Sequence, residues 1–290
     1  MEPNERIDAA LRQAIDRAAA GMCPPRLAEA LEYAVFPGGH RIRPRLGLAV
    51  AMAHGDPVPP VADAALCSIE LLHCASLVHD DLPCFDDAQV RRGKASVHVR
   101  FGEPLGLLCG DALILLAFQT LAAKAGLHPG RIGVLTGIVG DSVGAPDGIV
   151  AGQAWECEES VPIGDYQRAK TGALFAAATM AGAAAAGASH EVWALLGQRM
   201  GEAYQMADDL LDRCGDPDVI GKPVGQDKLL GRPNRVEELG IDGATRQLRE
   251  RIEMAVDSIP SCPGEAGLRR LIRAEATRFM EVALAGRAAA

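Results

Sequence analysis

Two clusters of aspartates lie far apart in the sequence, and each ends an apolar stretch with helical spacing. The clusters consist of Asp80, Asp81, Asp86 and Asp87, after the segment LLHCASLV, and of Asp208, Asp209 and Asp212, after LGQRMGEAYQMA. Pro83 ends the first helix, so the paired aspartates lie at a helix C-terminus, where the helix dipole disfavours negative charge. Asp208 and Asp212 are one helical turn apart and repel each other. A bound cation would therefore stabilise both clusters.

The type of oxygen ligand indicates which cation these clusters would bind. Carboxylates from two helices, without thiolates or a set of histidines, are the ligands that Mg²⁺ prefers. Neither cluster has the Gly and Glu spacing of an EF-hand loop, which excludes that kind of calcium site. Acidic runs are usually solvated faces, and this explanation suits Glu158-Glu159 and Glu237-Glu238. It suits the aspartate clusters poorly, because each is embedded in an apolar helix, so we predict magnesium that bridges carboxylates to substrate phosphates.

Phosphate oxygens also need direct donors, and several cations lie near the acidic clusters or near glycine turns. The candidates are Arg43 in GGHRIRP, Arg91 and Arg92 in RRG, Lys170 in KTG and Lys222 in GKP. Adjacent arginines point in different directions, so Arg91 and Arg92 could serve two phosphate groups through forked hydrogen bonds. Gly38 and Gly39 could let backbone amides approach a phosphate, although an ordinary turn would have the same sequence. Taken singly, each cation fits a solubilising role on the surface better.

The composition is that of a globular, core-forming protein, with 290 residues of which 49% are hydrophobic and 23% charged. This excludes a disordered chain and a disulfide-rich miniprotein. The net charge of −9 disfavours a nucleic-acid binder, which needs cations to neutralise phosphates. Eight cysteines without a CxxC pair predict reduced thiols rather than a zinc site. The first residues carry no export signal, so we expect a cytoplasmic protein without a membrane span.

The aspartates and cations named above are predicted to lie on helices or on the turns between them. Apolar residues recur at spacings of three and four, without sustained alternation, which indicates an all-α fold. The predicted helices cover residues 5–20, 25–36, 43–54, 60–81, 103–125, 130–143, 146–158, 165–187, 190–213, 243–258 and 264–286, with a break over the polar stretch 86–98. The uncharged stretch from Thr171 to Ser189 is mostly Ala and Gly, which favours close helix packing over a membrane span. No linker divides the chain, so one domain over residues 1–290 is predicted.

Several segments together resemble those of the short-chain trans-polyprenyl diphosphate synthase family. The segments are FPGGHRIRP, ELLHCASLVHDDLPCFDDAQVRRGKASVH, GDALI, AGQAWE, KTGALF, YQMADDLLD and GDPDVIGKPVGQD. Their ordered combination runs from about residue 36 to 235 and is far more specific than any one segment. The resemblance is greatest to the carotenoid-pathway geranylgeranyl diphosphate synthases of bacteria, with the farnesyl enzymes close behind. It implies the single-domain isoprenoid synthase fold, with helices around a central cavity.

The resemblance also implies a reaction, the head-to-tail condensation of isopentenyl diphosphate with allylic diphosphates of C5 to C15. The implied metal ligands for three Mg²⁺ ions, with Mn²⁺ as an alternative, are Asp80, Asp81, Asp86, Asp208 and Asp212, and Asp209 completes the second motif. Arg91, Lys170 and Lys222 match positions that hold the leaving diphosphate. Thr171 and Gln205 match positions that line the allylic carbocation. The released diphosphate can take the proton, so no side chain is needed as a base.

Arg43, His73 and Arg92 match the family's pocket for isopentenyl diphosphate. A lone histidine on an apolar helix is more often a core residue, but His73 lies seven residues before the first aspartate, about two turns away on the same face. His40 stands where most members have a lysine, which weakens the charge of this pocket and makes any contribution of His40 pH-dependent. Ala88 replaces a common acidic residue without changing the metal set.

Product length should depend on the residues one turn before the first aspartates, since a growing chain would extend alongside this helix. These residues are Ala75 and Ser76. Farnesyl-producing bacterial relatives commonly carry an aromatic ring at one of these positions, so the small pair predicts the C20 product over C15. In the alternative, Ala75 and Ser76 only ease helix packing, and Leu77, Phe118 or Leu121 sets the depth.

Three other functions share parts of this pattern. A class I terpene cyclase needs no second phosphate pocket and normally carries an Asn/Ser/Glu-type triad, which Asp212 and GGHRIRP argue against. A head-to-head squalene or phytoene synthase does not need the isopentenyl pocket. A non-catalytic regulatory subunit is disfavoured by intact carboxylates in both clusters. The resemblance further implies a homodimer, for which the Ala- and Leu-rich helix face at 103–123 is the candidate interface.

Overall fold

The computed structural model describes residues 2–36, 39–214 and 235–285, and helices make up most of them. The helices are α1 (Pro3–Ala19), α2 (Pro25–Val35), α3 (Ile42–Ala53), α4 (Pro59–Asp80), α5 (Val97–Phe101), α6 (Glu103–Ala122), α7 (Pro129–Val143), α8 (Ile149–Ala154), α9 (Ile163–Gln167), α10 (Ala173–Ala186), α11 (Ala194–Cys214), α12 (Arg235–Asp257) and α13 (Glu265–Ala285). Short 3-10 turns cover Trp155–Cys157 and Glu191–Trp193, and a π-helical turn covers Arg168–Gly172. The predicted all-α fold is confirmed.

The predicted helix positions agree with the structure except around Gly240, at the π-helical turn and after the polar stretch 86–98, where the short helix α5 is not among the predicted helices. Helix α12 begins at Arg235 rather than near residue 243, and Gly240 interrupts it with a φ of 67°. A positive φ is incompatible with a regular α-helix, so the two helical parts meet at a kink. The helix predicted to be continuous over 165–187 contains the π-helical turn. The spacing of apolar residues along the sequence does not reveal such a turn.

The polar stretch 86–98, predicted as a break, contains a small antiparallel hairpin. Strand β1 (Val90–Arg91) pairs with β2 (Lys94–Ala95). The two turn residues, Arg92 and Gly93, have φ values of 53° and 73°. Left-handed conformations at both central positions are typical of a type I′ turn, which joins strands in tight hairpins. Two-residue strands are too short to show alternation, so the sequence pattern could not reveal them.

The described residues form two compact units, and the single-domain organisation stays a prediction. The first unit comprises Met1–Gly140 and Ala177–His190. In this unit α4 packs against α1, α2, α3 and α6, and its side chains are mostly buried. Helices α3 and α10 approach closely because glycines face each other: a Cβ at Gly182 would lie 2.2 Å from the carbonyl oxygen of Gly47. The predicted close packing of the Ala- and Gly-rich stretch is thereby confirmed.

The second unit comprises Asp141–Ala176 and Glu191–Ala290. Within it α11 packs against α12, α13 and the π-helical turn. The side chains buried between α11 and α12 are Ala203, Met206, Ala207, Leu210, Val236, Ala244, Leu248 and Ile252. Trp193 and Phe175 are the largest buried side chains of this unit. This packing fixes α11, the helix that carries the second aspartate cluster.

Helices α4 and α6 are long and apolar enough to cross a membrane by length and composition. The apolar window of α4 is 78% buried, and that of α6 is 44% buried. A core helix passes this test as readily as a membrane helix, and the burial of α4 is that of a core helix. The partial exposure of α6 leaves leucines on its surface, among them Leu107, Leu108 and Leu115.

A buried ion pair joins α4 to the residue that precedes α3. The side chains of Arg41 and Glu70 are each 3% exposed, and Arg41 Nη1 donates to Glu70 Oε1 at 2.8 Å. Arg41 also donates to the Val35 carbonyl at 2.9 Å and to Asp8 at 3.1 Å. Arg41 directly precedes α3, with a φ of 51°. The pair therefore fixes the start of the helix that carries Arg43.

We expect Glu70→Ala to destabilise the protein by about 3–5 kcal/mol, because removal of one partner leaves the buried guanidinium without its counter-ion. Urea unfolding measures the free energy difference. Glu32→Ala is the control, since Arg12 and Glu32 form an exposed pair at 2.7 Å, and its loss should cost less than about 1 kcal/mol. Equal effects of the two substitutions would contradict a structural role for the buried pair.

Candidate active site

The first aspartate cluster forms where the chain turns back at the end of α4. The Asp86 N–H donates to the Asp80 carbonyl at 2.9 Å, and the Ala88 N–H donates to the Asp81 carbonyl at 3.2 Å. These bonds satisfy carbonyls that a helix C-terminus otherwise leaves unpaired. Asp81 is buried, whereas Asp80 and Asp86 are half-buried. The loop therefore brings the three predicted carboxylate residues of this cluster together.

Asp81 is held by the first arginine of the hairpin. Arg91 Nε and Nη2 both donate to Asp81 Oδ1, at 2.9 and 2.5 Å. Burial raises the pKa of Asp81 above its ordinary value, against the lowering effect of the Arg91 hydrogen bond. Burial also opposes the charge of Arg91, but Asp81, Asp80 and Asp86 raise its pKa overall. Arg91 thus stays a cation among the carboxylates, where a bound diphosphate would need one.

A second group of cations meets on the same unit, around His73. Arg43 Nη1 lies 3.4 Å from His73 Nε2. Burial, followed by the charges of Arg43, Arg92 and Arg91, lowers the pKa of His73 well below its ordinary value. A Cβ at Gly39 would lie 3.0 Å from Arg92 Nη2, so the Arg92 guanidinium packs against this glycine. A neutral histidine among arginines is typical of a site for an anion.

The hairpin that carries both arginines is tied to the end of α2. Tyr33 donates its hydroxyl proton to the Ala95 carbonyl at 2.8 Å, and Lys94 Nζ donates to the Phe36 carbonyl at 3.1 Å. The guanidinium of Arg12 lies 4.0 Å from the centre of the Phe36 ring. These contacts fix the hairpin beside Gly39. His40, which stands where most members of the family have a lysine, is exposed.

The second aspartate cluster lies on α11 in the other unit. Asp209 is 1% exposed, and its two oxygens accept hydrogen bonds from Gln205 Nε2 and from the Arg235 N–H, both at 3.0 Å. Burial raises the pKa of Asp209, and these two donors oppose the effect. These contacts give Asp209 a supporting position. Asp208 is half-buried and Asp212 is buried.

Gln205 connects Asp209 to the π-helical turn. Thr171 Oγ1 donates to Gln205 Oε1 at 3.2 Å, while the Gln205 amide group donates to Asp209. The structure thus brings together three of the residues predicted for catalysis. The amide orientation of Gln205 follows from this network, because only the nitrogen can donate to the carboxylate.

Lys170 also lies in the π-helical turn, where it meets a residue to which the sequence analysis assigned no role. Lys170 Nζ donates to Glu156 Oε1 at 2.6 Å. Tyr166 donates to the same oxygen at 2.5 Å, and Gln153 donates to Glu156 Oε2 at 3.1 Å. Glu156 is the last residue of the AGQAWE segment. The family resemblance included this segment, but it did not predict the contact between Glu156 and Lys170. A Cβ at Gly152 would lie 2.4 Å from the Lys170 nitrogen, so α8 packs directly against this backbone.

The residues predicted to set product length lie on α4. Ala75 is 1% exposed and shares a helix side with Ser68 and His79. Ser68 donates to the Ala117 carbonyl at 2.7 Å, and a His79 ring nitrogen lies 3.2 Å from the Leu107 carbonyl, so this side faces α6. Ser76 donates its hydroxyl proton to the His73 carbonyl at 2.9 Å.

The described residues contain no group of three or more Asp, Glu, His or Cys side chains placed to hold a metal ion by themselves. The carboxylates gathered at the end of α4 fit Mg²⁺, which keeps water ligands and is usually bound through one or two carboxylates together with substrate phosphates. The first cluster belongs to the first unit and the second cluster to the second unit. Lys222 lies outside the described residues.

Curated relatives align with nearly the whole chain. A geranylgeranyl diphosphate synthase of Cereibacter sphaeroides is 51% identical, over 98% of this chain and 98% of the relative. Another from Rhodobacter capsulatus is 49% identical, over 97% and 98% of the two chains. A farnesyl diphosphate synthase of Geobacillus stearothermophilus is 34% identical, over 88% of each chain. The similarity is thus greater to these C20 synthases than to this C15 synthase.

Solved structures show the same fold. A farnesyl/geranylfarnesyl diphosphate synthase of Zymomonas mobilis has a TM-score of 0.79 at 30% identity, over 94% of this chain and 96% of that one. A geranyltransferase of Helicobacter pylori, complexed with magnesium and isoprenyl diphosphate, has a TM-score of 0.76 at 26% identity, over 97% and 98%. These likenesses confirm the isoprenoid synthase fold predicted from the sequence.

The family predicted from the sequence segments is confirmed independently. The sequence profile of the polyprenyl synthetase family matches residues 24–266, which include both aspartate clusters and the residues around His73. The similarity to the two bacterial synthases confirms the prenyltransferase class and supports the geranylgeranyl type. By profile, by identity to its relatives and by fold, the chain belongs to the polyprenyl synthetase family.

Proposed function

We propose that the protein is a trans-prenyltransferase that condenses isopentenyl diphosphate with allylic diphosphates of C5 to C15 and releases geranylgeranyl diphosphate. The observation that carries this proposal is the pair of anion sites on one unit. Arg91 lies among the carboxylates at the end of α4, and Arg43, Arg92 and His73 form a separate cationic group. Two diphosphate substrates need two such sites. The identity of 51% to a geranylgeranyl diphosphate synthase supports the same activity.

The allylic diphosphate is assigned to the aspartate clusters. The proposed ligands of three Mg²⁺ ions, or of Mn²⁺ in their place, are Asp80, Asp81, Asp86, Asp208 and Asp212. When bound, these ions supply Lewis-acid stabilisation of the departing diphosphate. Arg91, Lys170 and Lys222 hold oxygens of the same leaving group. Because Asp209 uses both oxygens to hold Gln205 and Arg235, it supports the site rather than binding an ion.

Isopentenyl diphosphate is assigned to the group around His73. Arg43, Arg92 and the backbone at Gly39 hold its diphosphate, and His73 stays neutral because burial and the arginines lower its pKa. A neutral imidazole can donate one hydrogen bond without adding charge. This binding orients the alkene so that its C4 forms the new bond to the allylic carbon after the C–O bond of the allylic substrate has broken. The proton lost from the product goes to the released diphosphate.

Thr171 and Gln205 are assigned to the carbocation that forms between these events. Thr171 donates to Gln205, and Gln205 is itself fixed by Asp209. Oxygen dipoles that are already held in place stabilise a developing charge without reorganisation. Neither an amide nor a hydrogen-bonded hydroxyl is a strong nucleophile, so the cation persists until the alkene attacks.

A farnesyl diphosphate synthase and a non-catalytic regulatory subunit are the alternatives. The first is less well supported, because the relative of that activity is 34% identical whereas two geranylgeranyl synthases are 51% and 49% identical. The second is disfavoured because every aspartate of the two motifs is present. The first alternative predicts a C15 end product and the second predicts no product, so one assay separates both from the proposal.

The assay incubates the purified protein with isopentenyl diphosphate and each of the C5, C10 and C15 allylic diphosphates. We expect C20 as the end product in Mg²⁺, and chelation of the metal should lower the rate about a thousandfold, since metal binding stabilises the departing charge by several kcal/mol. Chromatography of the dephosphorylated products gives chain lengths. A C15 end product would identify the farnesyl alternative, and no elongation would refute the catalytic proposal.

Ala75→Phe should shorten the product. Ala75 faces α6 and is buried, so a ring at this position would fill space beside the growing chain. We expect C15 to exceed C20 about tenfold, which corresponds to a difference of about 1.4 kcal/mol between the barriers for elongation and release. Product chromatography measures the ratio, and Ser76→Ala, which adds no volume, serves as the control. An unchanged C20 yield would contradict the assignment of the floor to Ala75.

A homodimer through α6 is also proposed. Leu107, Leu108 and Leu115 are 50%, 52% and 63% exposed, an apolar surface that a second copy of the chain would cover. The double substitution Leu108→Glu/Leu115→Glu should give monomers, because buried carboxylates without partners oppose association. Sedimentation velocity measures the assembly state, with Met22→Glu, at a fully exposed position, as the control. A wild-type monomer, or an unchanged dimer of the double variant, would contradict this interface.

A cytoplasmic location is proposed together with this activity. The described cysteines, at 23, 67, 74, 84, 109, 157 and 262, are all free thiols. Reduced cysteines are usual in the cytoplasm and are rare in secreted proteins.

A further inference from the structure

Glu156 is an acidic residue of the second unit without a role in the proposed reaction, and three donors meet on its carboxylate. Lys170 Nζ and the Tyr166 hydroxyl donate to Oε1 at 2.6 and 2.5 Å. Gln153 Nε2 donates to Oε2 at 3.1 Å. The side chains of Lys170 and Glu156 are 20% and 24% exposed, and Glu156 lies at the surface of the unit. The contacts from Tyr166 and Gln153 distinguish the pair from an isolated surface salt bridge, which contributes little.

Lys170 is held at both ends of its side chain. Its backbone lies in the π-helical turn, and Gly152 of α8 approaches so closely that a Cβ would lie 2.6 Å from the Lys170 Cα. Its ammonium group is fixed by Glu156, and Glu156 is itself oriented by Tyr166 and Gln153. A free lysine side chain loses considerable rotamer entropy when it binds an anion. Here the folded protein has already restricted these rotamers.

A lysine ammonium group can bind a carboxylate and an anionic ligand at the same time. It has three N–H donors, and one hydrogen bond to Glu156 Oε1 requires one of them. A diphosphate oxygen can therefore accept from the same ammonium group. Such an arrangement improves binding by orientation rather than by an additional direct contact with the ligand.

We propose that Glu156 is a positioning residue that holds the Lys170 ammonium in the orientation that receives the allylic diphosphate. This inference rests on the proposed function, in which Lys170 holds the leaving group. Glu156 itself touches neither substrate nor metal in this assignment. It acts on the reaction through Lys170, and Tyr166 and Gln153 act through Glu156.

The test combines Glu156→Gln with Lys170→Met. Glutamine keeps the shape and an acceptor oxygen but loses the charge, which changes a charge-assisted hydrogen bond into a weaker neutral one, so we expect kcat/KM for the allylic substrate to fall about tenfold. The KM for isopentenyl diphosphate should not change. In the Lys170→Met background the same substitution should change kcat/KM by less than about twofold, because the group on which Glu156 acts is then missing.

Glu159→Gln is the matched control, since Glu159 is exposed and close in sequence. It should leave both kinetic constants and the melting temperature as in the wild type. A similar loss from Glu156→Gln in the presence and absence of Lys170 would overturn the proposal. So would an unchanged kcat/KM, or a tenfold weaker affinity for Mg²⁺ at saturating pyrophosphate, which would make Glu156 a metal ligand.

Binding of inorganic pyrophosphate with Mg²⁺, measured by calorimetry, separates this inference from the proposed function. We expect Glu156→Gln to raise the Kd about tenfold in the wild-type background and to leave it unchanged in Lys170→Met. If the wild-type protein binds pyrophosphate but forms no prenyl product, the proposed function fails, while the binding series still decides the role of Glu156. Equal Kd values for the wild type and Glu156→Gln would refute that role.

Discussion

A buried negative charge at the C-terminal end of α4 is the constraint around which the first unit is arranged. Asp81 is nearly inaccessible to solvent and lies where the helix dipole disfavours a carboxylate. Arg91 compensates this charge, which requires the β1–β2 hairpin to pass close to α4. The turn of that hairpin then directs the next residue, Arg92, toward Gly39. The ion pair of Asp81 with Arg91 thus fixes Arg91 and Arg92, which belong to the two proposed anion sites.

The second unit uses acidic residues as supports for neighbouring polar groups. Asp209 holds Gln205 and the first residue of α12, and Glu156 holds Lys170. Both carboxylates accept hydrogen bonds from several donors, which the buried carboxylate of Asp209 requires and which orient the exposed carboxylate of Glu156. The π-helical turn lies between these supports and carries both Lys170 and Thr171. Local departures from α-helical geometry of this kind are frequent at functional sites.

The residues proposed to set product length lie on a surface that packs one helix against another. Ala75 lies on the side of α4 that contacts α6, so its small volume and the helix spacing are linked. Ser76 satisfies its hydroxyl within α4, and this bond allows an apolar neighbour. The greater identity to the C20 synthases than to the C15 synthase agrees with the absence of a ring at both positions.

The helices, the family and the aspartate clusters follow from the sequence alone, because a period of 3.6 residues and ordered motifs are properties of neighbouring residues. Only the three-dimensional packing produces the hairpin, since two-residue strands have no period, and the contact of Glu156 with Lys170, since the two residues lie on separate helical turns. It also separated Asp209 from Asp208. The two are identical in type and adjacent in sequence, and burial together with hydrogen-bond partners, which come from distant segments, gives them different surroundings.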